Sequence, residues 1–248
     1  MFKNIKYRQK FTFLFIFILL ANSIAFGVSL SIIIQQNSKN QIASKAVMLM
    51  ETIDSIREYT LAHVQPELIG QLEAKFPPEI IPNFAARETF ENFRQKSNYR
   101  DFFFKDATLE PLNPRDRADD FETEIIEYFK KHQQIQELTG FRPTSKGNLF
   151  YLARPIEVSQ PRCLECHGEP NAAPSGLVER YGSSLGFRWK LNEIIGMQII
   201  FIPTDYFLKE SRQLFLAIAI AVGAFFFLLL PLSFWFLCQN KQINKRIR

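Results

Sequence analysis

The chain has 248 residues, of which 47% are hydrophobic and 22% charged, with a formal net charge of +5. That length holds one sizeable domain with appendages. The surplus of positive charge sits at the two ends of the chain, which excludes the clustered basic face of a nucleic-acid-binding protein.

Residues 1–10 (MFKNIKYRQK) carry Lys3, Lys6, Arg8 and Lys10 and no acid. Residues 11–34 (FTFLFIFILLANSIAFGVSLSIII) are uncharged and longer than the roughly 20 residues that cross a bilayer core. A cleaved signal has a shorter apolar stretch of about 7–15 residues and a small-residue cleavage site, and neither is present. A first transmembrane helix is therefore expected here. From Ser38 to Gln65 the pattern stays helical, with Leu49, Ile53, Ile56, Thr60 and His63 in one stripe, and Pro66 is expected to end the helix.

The prolines of KFPPEIIPNFAARETFENFRQK mark an irregular connection, followed from Asn83 by an amphipathic helix. YRDFFFKDA reads as a strand. PLNPRDRADD reads as a turn whose Asp119 or Asp120 caps the helix FETEIIEYFKKHQQIQEL, and Gly140 ends that helix. GNLFYLARPIEV reads as a strand with Pro155 at an edge. A cysteine loop follows, and GFRWKLNEIIGMQIIFIP reads as a hairpin or a pair of strands around Gly196. From Thr204 a helix leads into residues 214–238 (LFLAIAIAVGAFFFLLLPLSFWFLC), a second uncharged span in which Pro231 is tolerable.

Residues 239–248 (QNKQINKRIR) carry Lys241, Lys245, Arg246 and Arg248, again without an acid. Cationic flanks stay on the cytoplasmic side, so both termini are expected inside and residues 35–213 outside. The eight terminal cations exceed the whole formal charge, which leaves the segment between the spans net acidic. The expected location is the plasma (inner) membrane with a periplasmic central domain, a thylakoid membrane being the alternative. The expected fold class is α+β, with a long N-terminal helix and a transmembrane helix on either side of the domain.

Within the domain, RCLECHGEP holds Cys163, Cys166 and His167. Four readings compete. A C-x-x-C-H sequence supplies two thiols for thioether bonds to porphyrin vinyl groups, and a histidine for the iron. Zinc needs at least three well-spaced ligands, and beyond these close neighbours only His63, His132 and carboxylates are available. A redox dithiol wants a helix starting at its first cysteine, but this motif runs into Gly168, Pro170 and Pro174. Coincidence is the fourth. Covalent haem c, one per chain, is the reading adopted.

Four motifs together, FPPEIIPNFAARETF, LNPRDRAD.FE, ARPIEV....CLECHG and GFRWKLNEIIGMQIIFIP, resemble the DUF3365 (Tll0287-like) family of haem-binding extracytoplasmic sensor domains. The resemblance covers roughly Ser38 to Pro203. It implies a PAS-like fold carrying one covalent haem c, with Cys163 and Cys166 in the thioethers and His167 on the iron. It also implies a sixth iron ligand from the N-terminal helical region, where His63 is the candidate, with Met197 its rival. Met48, Met50 and His132 are weaker candidates, read as helix core or solvated.

Arg154 and Arg188 are candidates for the haem propionates, and Tyr181, Phe187 and Trp189 for walls of the porphyrin site. Family members are often followed by a HAMP linker and a histidine kinase. Here QNKQINKRIR reads as the stub of such a linker, so a separate cytoplasmic signalling protein such as a histidine kinase is the expected partner.

The expected function is a membrane-anchored haem sensor of redox state or a diatomic gas ligand, acting through its transmembrane helices. The alternative is a membrane-tethered monohaem cytochrome c with a redox partner. No nucleophile with its base and no phosphate cradle is recognisable, so no enzyme is expected. The lipid bilayer and a second copy of the chain complete the expected partners.

Overall fold

The computed structural model describes residues 2–68, 77–205, 212–229 and 231. The chain divides into two compact units. One comprises residues up to Asn40 and from Tyr206 onward; the other is Gln41–Asp205. The C-terminal basic segment and Cys238 lie outside the described residues, as does most of the exit helix expected from Thr204.

The apolar segments form helices. Helix α1 runs Phe2–Tyr59 as one element, and among the described residues a later helix spans Arg212–Leu229. Both are long and apolar enough to cross a membrane. Their large side chains lie exposed, Phe17 and Ile24 in the first and Ile220 and Phe227 in the second.

The second unit is built on a four-stranded antiparallel sheet in the order β1-β4-β3-β2, with β1 Phe103–Thr108, β2 Leu138–Thr144, β3 Gly147–Glu157 and β4 Ile194–Pro203. β4 is an interior strand covered on both faces. That is why IIGMQIIFIP is a continuous apolar run rather than an alternating one.

Met197, Ile199 and Phe201 point to one face, where Ile125, Ile126 and Phe129 of α4 (Asp120–Lys131) complete the core. Gln198 belongs to the other face and meets Arg57 of α1, which also pairs with Asp106 of β1. Phe90 of α3 (Pro82–Arg94) packs against Phe104 there, ring centroids 5.6 Å apart. Thus α4 covers one face of the sheet, and α1 with α3 covers the other.

Asp119 caps α4 through a reciprocal box. Its carboxylate accepts from the Glu122 backbone N–H at 2.9 Å, and the Glu122 carboxylate accepts from Asp119 N–H at 3.0 Å. Partial burial works against the Asp119 carboxylate. The Glu122 hydrogen bond and Arg142 at 2.8 Å outweigh it and hold the carboxyl below its ordinary value. Asp119→Ala in the full chain is expected to cost about 1 kcal/mol, a fall in Tm of roughly 2–4 °C for a domain of this size. A folded-state value below the unfolded one means the cap is complete above the ordinary carboxylate range and lost as pH falls through it. The Tm gap between the two proteins should therefore close in acid, and a gap independent of pH would refute this role.

The structure departs from the expected elements in several places. The helix does not stop at Pro66: it passes through a π-helical turn, Thr60–Val64, and continues as α2 (Gln65–Leu68). Proline has no N–H to donate, and its ring crowds the carbonyl four residues back. The Gln65 N–H bonds the Thr60 carbonyl five residues back, and the wider turn absorbs the misfit.

Helix α4 ends at Lys131, because QQIQEL carries no apolar stripe. Gly140 lies inside β2 opposite Tyr151, an unexpected strand joined to β3 by a two-residue turn. The two expected strands around Gly196 are the single strand β4. There Gly196 is the point of closest approach to β1, since a Cβ would lie 2.3 Å from the Ala107 carbonyl oxygen. The cysteine motif is not an open loop: a 3-10 turn, Pro161–Cys163, runs into α5 (Leu164–His167). A further short helix, α6 (Ser175–Tyr181), follows it.

Pro155 is an edge residue only locally. β3 pairs on both sides, but β2 contributes its last partner at Ala153, so nothing faces Pro155 on that side.

Candidate functional site

Two helical turns put the C-x-x-C-H residues on one wall of a cavity of about 780 Å³. Cys163 closes the 3-10 turn, and Cys166 and His167 end α5. All three line the cavity, together with Tyr181 of α6 and Trp189 of the loop before β4. The volume falls within the ~300–1,000 Å³ typical of cofactor pockets.

The imidazole is fixed in direction and protonation. His167 Nδ1 lies 2.7 Å from the Gly186 carbonyl oxygen, which can only accept, so Nδ1 carries the proton and Nε2 keeps its lone pair. Burial pushes the His167 pKa down, against the raising effect of that hydrogen bond, so the ring is held neutral. Trp189 stacks flat on it, centroids 3.8 Å apart and planes 5° from parallel. Backbone bonds lock the same corner: Trp189 N–H donates to the His167 carbonyl (3.1 Å) and Arg188 N–H to the Gly168 carbonyl (2.8 Å). An anchored imidazole with one free nitrogen is the usual posture of a metal-ligating histidine.

Gly186 is there for two reasons. Its φ of +77° is left-handed, and a Cβ would lie 2.5 Å from Leu112 Cγ and 2.9 Å from Leu112 N. Arg188 two residues on also has a positive φ of 61°.

The thiols are free and half-buried. Burial, with Glu165 and then Cys163 adding to it, pushes the Cys166 thiol up. Contrary to expectation, a short helix does start at the first cysteine, since Cys163 is the N-cap of α5. Among the described residues no group of three or more His, Cys, Asp or Glu is arranged to hold a bare metal ion. Two thiols and a neutral, directed imidazole on one cavity wall instead suit a large planar group bonded at its edge and ligated at its centre.

The remaining sequence candidates lie elsewhere. His63 is exposed, rests against Tyr59 with ring centroids 5.1 Å apart, and does not line the cavity; from the same turn of helix, Leu61 and Gln65 do. Arg154 is on the sheet, paired with Glu51 at 2.8 Å, Glu137 at 3.0 Å and Asp54 at 3.5 Å, and is not in the lining. Arg188 is exposed beside Glu169, and Phe187 is buried behind the wall. Met197 is fully buried in the α4-facing core, as is Met50 in α1, while Met48 is exposed. His132 lies over the end of α4, with Nδ1 2.9 Å from the Tyr128 carbonyl.

The cavity also has a polar lining beside the thiols and the imidazole. Arg57, Arg87, Asp106, Thr108 and Asp116 belong to it. Burial first, then the neighbouring Asp106, pushes Asp116 up to about 6 against the pull of Arg87, Arg115 and Lys105. The signal was present in the sequence. Arg87 and Asp116 lie inside FPPEIIPNFAARETF and LNPRDRAD, two motifs that had been given no chemistry.

A sheet lined by a long helix, with a cavity that presents two thiols and an anchored imidazole, defines a cofactor-binding domain. The family model described as Tll0287-like matches residues 35–203. This chain belongs to the Tll0287-like family. Among solved structures, the crystal structure of the cyanobacterial heme-protein Tll0287 is similar at 18% identity and a TM-score of 0.48, covering 66% of this chain and 95% of that one. No curated protein matches the chain.

Proposed function

We propose that the chain is a membrane-anchored sensor whose extracytoplasmic, PAS-like domain carries one covalent haem c in the cavity described above. The observation that carries the haem reading is the placing of Cys163, Cys166 and the free Nε2 of His167 on a single wall of a cavity of cofactor size. In this reading Cys163 and Cys166 hold the porphyrin edge, His167 binds iron, and Trp189 fixes the imidazole plane. Haem supplies a redox-active iron able to bind small ligands. Gly186 keeps the Nδ1 proton in place and so keeps Nε2 available.

Sensing is supported by connectivity. α1 is one helix from its uncharged segment to Tyr59, and the residues just beyond, Leu61 and Gln65, line the cavity. A change of packing at the cavity therefore acts directly on the helix that enters the membrane. A ligand shifts such an equilibrium only through different affinities for the two states. Both termini are taken as cytoplasmic, from their basic flanks, with a cytoplasmic signalling protein receiving the output. Sensing, rather than catalysis, is the role assigned.

The test is absorption spectroscopy of the haem-matured protein, oxidised and reduced, with and without CO and NO. Selective ligand exchange supports sensing. A redox-active haem inert to both gases would shift the reading to a tethered electron carrier, and the absence of haem from a competent expression strain would refute both. The His63→Ala spectrum decides whether that residue reaches the iron, since a ligand lost there changes coordination and an exposed helix residue does not.

A further inference from the structure

The polar lining contains charges that are already spent and one that is not. Arg57 pairs with Asp54 and Asp106 and hydrogen-bonds Gln198, although its Nε is buried without a partner. Lys105 is held by Glu122 at 2.7 Å. Arg87 differs. Its side chain is 15% exposed and its guanidinium lies over the Phe84 ring, 4.7 Å from the centroid. The acid paired with it is its own neighbour Glu88, at 3.2 Å and half exposed to water. A guanidinium buried this far, with so diluted a counter-charge, favours an anion within the cavity that it lines.

A second observation points the same way independently. Thr108 is 7% exposed, lines the same cavity, and its Oγ1 is buried without a hydrogen-bond partner. An orphaned buried hydroxyl costs about 1–3 kcal/mol and calls for an acceptor.

Thr108 is tied to the turn that carries Asp116: it bridges Arg117, and its carbonyl accepts from Ala118 N–H at 2.9 Å. Arg87 in turn acts on the Asp116 carboxyl. Arg87, paired only with a half-exposed carboxylate, and the unpartnered Thr108 hydroxyl thus both belong to the lining around Asp116. Asp116, on which burial acts most, takes up a proton near pH 6 and then donates as well.

We propose that Arg87 and Thr108 form a carboxylate-binding subsite, and that the carboxylate it holds is a propionate of the cavity's own porphyrin. The proposal rests on the haem reading and moves the propionate contact from Arg154, whose charge three carboxylates already share, to Arg87 and Thr108 in the cavity lining.

The experiment is an equilibrium redox titration of the haem-matured full chain as wild type, R87Q, R87K, T108V and R115Q. Removing a fixed cation beside the cofactor favours its more positive, oxidised form. The midpoint potential is expected to fall in R87Q, to fall less in T108V, and to stay at the wild-type value in R87K. R115Q removes a cation that pairs with Glu91, does not line the cavity and acts on it only through Asp116, so it should move the midpoint less than R87Q does.

An R87Q protein with bound haem and the wild-type midpoint overturns the subsite. If R87Q does not accumulate, T108V carries the test, since threonine and valine have the same shape, and an unchanged midpoint there overturns it equally. Titrating the wild type with acetate separates the two sources of carboxylate. A midpoint indifferent to acetate assigns the site to the propionate, while an acetate-dependent shift that R87Q abolishes assigns it to a free anion and refutes the propionate. A wild-type chain without haem refutes the haem reading instead.

Discussion

Serine at both Cys163 and Cys166 is expected to abolish retention of haem on a denaturing gel, where the wild-type chain keeps it. The effect would be all-or-none because the attachment proposed here is covalent. Non-covalent contacts from lining residues such as Trp189, Leu177 and Tyr181 would hold a porphyrin only while the chain is folded. The two single variants should each retain haem through the remaining bond, at reduced yield. They separate loss of attachment from loss of fold, since both thiols are half-buried at a helical turn and serine fits there. Haem that stays on the denatured double variant would rule out thioether attachment at these residues.

Gly186→Ala is expected to be the most damaging small substitution near the site. The left-handed φ of +77° costs a non-glycine residue roughly 1–2 kcal/mol. The added methyl also collides with Leu112, at 2.5 Å from a side-chain carbon and 2.9 Å from the backbone nitrogen. Overpacking of that kind costs about 1–3 kcal/mol more. Together these lower Tm by roughly 5–15 °C for a domain of this size.

The chemical consequence is separate from the thermal one. Moving the Gly186 carbonyl releases His167 Nδ1–H, and loss of such an outer hydrogen bond typically costs about 10–100-fold in metal affinity. Gly182→Ala is the matched control. Its φ of 80° with ψ of −176° also disfavours any residue but glycine, while nothing lies within 4 Å of the new methyl. It should lose about 1–3 kcal/mol of stability and leave the haem spectrum unchanged. Equal spectral changes in both variants would show that the Gly186 carbonyl does not orient the imidazole.

How far the sequence revealed these features depended on whether the signal was local. Cys163, Cys166 and His167 are adjacent, so their chemistry is legible without a fold. Asp119 with Glu122 three residues on is equally local, and the cap follows from the spacing. The buried strand β4 was legible as an apolar run, but Gly196 suggested a break because its reason is a carbonyl from a strand some ninety residues earlier.

His63 illustrates the same limit. A stripe counted at ordinary helical spacing includes it, yet the π turn shifts the phase of the helix just there and turns it to the surface. The polar lining was out of reach for the opposite reason. Its residues come from α1, α3, β1 and the Pro114–Asp116 turn, and no local pattern links them. The four motifs that carry the family resemblance all contribute to the lining of one cavity, through Arg87, Asp116, His167 and Trp189 among others.

The strand order has a consequence in time. Among the described residues β4 is the last strand in the chain, yet it lies between β1 and β3. Until Pro203 has left the ribosome, β1 has no partner, and the β2–β3 hairpin stands alone with the cysteine motif trailing behind it. Trp189 and the Gly186 acceptor emerge later still than the motif they enclose. In the proposed topology the thiols would therefore cross the membrane before the sheet that holds them is complete. Attachment chemistry that needs an open peptide would have its opportunity in that interval, before the central strand docks and the wall closes over it.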